Sequence, residues 1–122
     1  MLKLSQLQQR LKDIISNIQC SENQKKRLNA VIADADCIAE LLEEVNKIRI
    51  SLNKGFWRNA LYNELNKFFL NDVGITFHLS PTQLRYGYSV YDFENQLHAS
   101  IHKFIETYSI PMNNMKAPSI TY

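Results

Sequence analysis

The sequence predicts an all-α fold, an N-terminal antiparallel helical hairpin packed against a second helical layer, with at most one short strand. Two observations carry that expectation. Apolar residues recur at three- and four-residue intervals in both halves of the chain, the period of an amphipathic helix. A short polar turn with a helix-start signal separates the first two periodic stretches, and so short a connection makes them antiparallel neighbours.

The first stripe is Leu4, Leu7, Leu11, Ile14 and Ile18, which defines one helix. Ser21-Glu22-Asn23-Gln24 then forms a capping box, in which the Ser and Gln side chains satisfy each other's open backbone N–H groups. A second, long helix is expected to run from there on Leu28, Val31, Ala35, Ile38, Leu42, Val45, Ile48 and Leu52, with Glu, Lys and Arg on its opposite face. In an antiparallel register Leu11 meets Ala35, Leu7 meets Ile38 and Leu4 meets Leu42. Val45, Ile48 and Leu52 then project past the first helix and need cover, either from the C-terminal half or from a second chain.

Asn53-Lys54-Gly55 supplies a C-terminal stop, since glycine takes the left-handed conformation at no steric cost. Phe56, Trp57, Leu61, Leu65, Phe68 and Phe69 share the broad face of a third helix, which ends at Asn71-Asp72-Val73-Gly74. Ile75-Thr76-Phe77-His78-Leu79 alternates like a short strand. Ser80-Pro81-Thr82-Gln83 starts a helical turn that Gly87 closes. The last helix begins near Ser89 or Asp92 and carries Phe93, Leu97, Ile101, Phe104 and Tyr108. One domain over residues 1–110 is expected, with an aperiodic tail over 111–122 that is ordered only if something holds it.

At 45% hydrophobic and 21% charged residues, the 122-residue chain has the profile of a folded domain and not of disorder. No apolar run approaches the ~20 residues needed to cross a bilayer, and the N-terminus lacks the h-region of a secretory signal, so a cytoplasmic protein without a membrane partner is expected. A net charge of +2 falls short of a dedicated nucleic-acid binder. In the hairpin register Cys20 and Cys37 stand about 18 Å apart along the helix, beyond the ~7 Å reach of a disulfide. Two free thiols follow.

Few patterns carry chemistry. His98 and His102 lie four apart, and Glu94 and Glu106 extend the line, which would place four potential ligands on one helical face. The residue after His98 is Ala99 where a zincin needs its Glu base, so metalloprotease chemistry is excluded, and a polar or interfacial helix face is the favoured reading. Asp34, Asp36, Glu40, Glu43 and Glu44 read as a solvated acidic face, because oxygen-only cation sites need a loop or two facing elements. Lys25-Lys26-Arg27, with Lys3, Arg10 and Lys12, makes the hairpin locally basic, but no aromatic residue precedes Phe56 to provide stacking. Residues 82–96 resemble a helix-turn-helix only poorly, since Gln83 and Gln96 stand where small and apolar residues should pack. No nucleophile elbow, phosphate loop or Cys-His pair is present.

Arg85, Tyr86, Tyr88 and Tyr91 gather around Gly87, and such residues serve either as second-layer core or as interface anchors. With Trp57, His98 and His102 they are the candidate partner-binding residues. By elimination the sequence points to a binding protein without cofactor, metal or catalysis, specifically an immunity or antitoxin kind of inhibitor that covers the active surface of a partner protein such as a toxin. The alternative is a nucleic-acid-associated protein using the basic hairpin end. A third reading assembles an enzyme site from His78, His98 and Tyr91.

Overall fold

The computed structural model describes residues 2–52, 60–76 and 90–121, with the side chains of the last stretch described from 92 to 108. Helix α1 spans Leu4–Asn17 and buries Leu7, Leu11, Ile14 and Ile15 on one side. The chain turns through extended backbone at Ile18, and α2 spans Glu22–Asp34. Its start is the predicted capping box: the Gln24 N–H donates to Ser21 Oγ and the Ser21 N–H donates to Gln24 Oε1, both at 3.2 Å. The two helices form the expected hairpin, pinned by Gln8 Nε2 donating to the Ile32 carbonyl at 2.7 Å.

The expected long second helix is divided. It stops at Asp34, Ala35 takes an extended conformation (φ −69°, ψ 126°), and α3 restarts over Ile38–Leu52. Asp34-Ala35-Asp36-Cys37 explains the break, since Asp and Cys are poor helix formers and Asp side chains compete for backbone groups. One new bond compensates at the break, the Asp36 N–H donating to Glu40 Oε2 at 3.2 Å, and the ordinary helical pattern resumes with the Leu41 N–H donating to the Cys37 carbonyl at 3.1 Å. The register of a continuous helix therefore does not carry past Ala35. Helix α3 instead packs on α2 and on the C-terminal half of the chain.

Helix α4, Ala60–Lys67, runs into a π-helical turn over Phe68–Val73. Residues five apart diverge on an α-helix, and the wider winding brings Val73 round towards the side of Phe68, so both are buried. The Phe68 and Phe69 rings meet edge to face, with centroids 5.4 Å apart. Gly74 ends the turn at φ 87°, a left-handed conformation that matches the predicted stop, and the Ile75 N–H closes onto the Phe69 carbonyl at 3.0 Å. Arg10 Nε reaches Asp72 Oδ2 at 3.1 Å and ties α1 to this turn.

The last helix, α5, spans Val90–Thr121. Its backbone is helical through Pro111 and Pro118, where the sequence predicts an aperiodic tail. Glu94, Leu97, Ile101 and Ile105 form its buried side, which lies along α3. This answers the need for cover at the end of α3: Val45 and Ile48 are buried by the C-terminal half, not left for a second chain. The apolar side chains of all these elements join in one cluster. Among the described residues no strand occurs; Ile75 and Thr76 have no regular structure, and the rest of the expected strand, like the helical turn after it, lies outside the described residues.

Candidate functional site

Two features of α5 bear on function, one facing the core and one facing solvent. The inner one is a polar network. Arg49 is fully buried, although as a charged residue it is expected with Glu and Lys on the outer face of the helix. Its Nη1 donates to Glu94 Oε2 at 2.6 Å and to Asn66 Oδ1 at 3.1 Å, and its Nε donates to Asn46 Oδ1 at 3.0 Å. Tyr62 Oη donates to the same Glu94 oxygen at 2.9 Å, and the guanidinium lies 5.9 Å from the Tyr62 ring centroid. Three elements thus meet at one carboxylate.

Donor and acceptor roles along this chain follow from Arg49, which can only donate. Asn46 must present Oδ1 to Arg49 and therefore turns its Nδ2 towards His98 Nδ1, 3.4 Å away. Arg49 Nη2 and Glu94 Oε1 are buried without a hydrogen-bond partner among the described residues, so the pair is held at a desolvation cost. Burial, and then the hydrogen bond to Glu94, push the Tyr62 phenol above the ordinary tyrosine range.

This network divides the polar line of Glu94, His98 and His102. Glu94 turns inward and is taken by Arg49 and Tyr62, while His98 and His102 are exposed, with nearly parallel rings 5.9 Å apart between centroids. No group of three or more His, Cys, Asp or Glu side chains suited to a metal ion occurs among the described residues. Asp34, Asp36, Glu40 and Glu43 are exposed, as expected of a solvated face. Cys20 and Cys37 are free thiols. On the hairpin, Arg10 is engaged by Asp72 and Lys25 lies 4.0 Å from Glu22, whereas Lys12, Lys26 and Arg27 are exposed. Among the described residues no helix is long and apolar enough to cross a membrane.

The outer feature is an open groove of about 620 Å³ between Gly74–Thr76 and the side of α5 that carries Gln96, Ser100, Lys103 and Phe104. Phe104 is half-buried there and stacks on Tyr108 at 5.7 Å between centroids, and Tyr108 is 36% exposed. Of the candidate partner-binding residues, His98 and His102 stand on the exposed face of α5. Trp57, Arg85, Tyr86 and Tyr88, together with His78, lie outside the described residues, and Tyr91 is described only as helical backbone.

Sequence reasoning missed the Arg49 network and the Phe104–Tyr108 rim. A signal for the first was available: Arg49 follows Leu42 by seven residues and Val45 by four, which places a lone cation on the apolar side of the helix. Compared with protein-family models, curated proteins and solved structures, the chain matches none of them.

Proposed function

We propose that this chain is a small protein-binding module whose contact surface is the open groove beside α5. The observation that carries the reading is the stacked Phe104–Tyr108 pair, which offers rigid aromatic area to solvent next to that groove. A partner fitting it presents an apolar side chain to the aromatic pair and a carboxylate to Lys103. The segment from Arg85 to Tyr91 leads directly into α5 and joins the proposal on its sequence alone. The finer reading, a cytoplasmic inhibitor of the immunity or antitoxin kind that occludes its partner and performs no chemistry itself, rests on small size and on a sequence without a catalytic motif.

Co-expression with the product of the neighbouring open reading frame tests this reading. A stoichiometric complex is expected, weakened about thirtyfold by Tyr108→Ala, equivalent to ~2 kcal/mol, with the melting temperature of the free protein almost unchanged. Failure to form a complex would remove the inhibitor reading. Unchanged affinity, or a melting temperature lower by about ten degrees, would assign the aromatic pair to packing. The exposed Lys12, Lys26 and Arg27 keep a second reading in play, and salt-dependent retention on heparin or DNA would favour it.

A further inference from the structure

The apolar side of α5 is degenerate. Phe93, Leu97, Ile101 and Ile105 repeat every four residues, so sliding the helix by one turn, about 6 Å, places Phe93, Leu97 and Ile101 where Leu97, Ile101 and Ile105 now sit. The buried positions of the stripe would stay apolar in either case. The polar network would not keep its partners: in the observed antiparallel register Arg49 meets Glu94 and Asn46 meets His98, which brings Leu42 level with Ile101 and Ile38 level with Ile105. After the slip Val90 would stand opposite Arg49, leaving a fully buried guanidinium without its counter-charge. A buried pair of this kind is weak evidence for stability, and its best-attested role is the choice of register.

The geometry points to Arg49 and Glu94 as a register key, a conformational device that holds α5 in one of the helical positions its apolar stripe allows. Spin labels at Lys47→Cys and Glu106→Cys, with Cys20 and Cys37 replaced by alanine, read the axial position of α5 against α3 in the full chain. One narrow distance distribution is expected with the pair intact. Arg49→Met with Glu94→Leu should stay folded and add a second population, longer by several ångströms. Retention of the single narrow distribution would overturn the proposal, and so would loss of the folded state, which would make the pair a source of stability instead. A second variant tests the key in the opposite sense: Val90→Glu with Glu94→Leu moves the carboxylate back by one turn and should shift the whole distribution to the longer distance. A distribution unchanged from the wild-type pair, or a chain that no longer folds, would equally overturn it.

Discussion

The α1–α2 hairpin and the α3–α5 pair are both antiparallel helix contacts, yet different interactions fix their alignment. In the hairpin the connection is a few residues long, and the turn with its capping box sets which residues can meet. Apolar stripes and one side-chain bond, Gln8 to Ile32, complete it. Between α3 and α5 lie residues 53–89, and so long a connection leaves the register open. There a buried charge with three hydrogen-bonded partners provides the alignment. The contrast shows where a small helical protein places costly polar groups: at contacts that its chain connectivity does not already define.

Unpairing the buried charge is expected to give the largest effect. Arg49→Met or Glu94→Leu alone strands the opposite charge in the core and should cost ~3–5 kcal/mol in a denaturant melt, whereas a loss below about 1 kcal/mol would mean that the partner escapes to solvent. Leu11→Ala empties the centre of the hairpin and should cost ~2–4 kcal/mol, with a smaller loss showing that the site collapses around the missing atoms. Ser21→Ala removes half of the capping box, for an expected ~1 kcal/mol. If that change leaves stability untouched, the turn and not the cap sets the start of α2.

Tyr62 distinguishes the two regions by pH. Its phenol is raised above the ordinary value near 10 by burial and by Glu94, so the folded state holds that proton more tightly than the unfolded chain. The corresponding stability is fully present below pH ~10 and is lost as pH rises from there through the raised folded value. Comparing alkaline unfolding of the wild type with Tyr62→Phe should show a shallower decline in the variant. Equal slopes would mean that Tyr62 titrates as an ordinary surface phenol.

Much of this fold was legible in the sequence because it is local. The capping box at Ser21, the stripe of α1 and the stop at Gly74 each depend on a few neighbouring residues, and each appears where its pattern predicts. The break at Ala35 was hidden by a hydrophobic period that continues across it, although the Asp34-Ala35-Asp36-Cys37 composition carried the signal. Glu94 was legible as part of a polar helical line but not as a core residue, because its burial depends on Arg49 and Tyr62, distant in sequence. The Phe104–Tyr108 rim combines a helical aromatic pair, visible in the sequence, with a groove that exists only once Gly74–Thr76 lies beside α5.

The coupling between positions 49 and 94 separates a pair kept for alignment from one kept for stability. Denaturant melts of Arg49→Met, Glu94→Leu and the double variant close the cycle. Each single change is expected to cost ~3–5 kcal/mol and the double variant to recover most of that loss, since no buried charge is then left unpaired. Additive losses, with the double variant the least stable of the three, would contradict the alignment role.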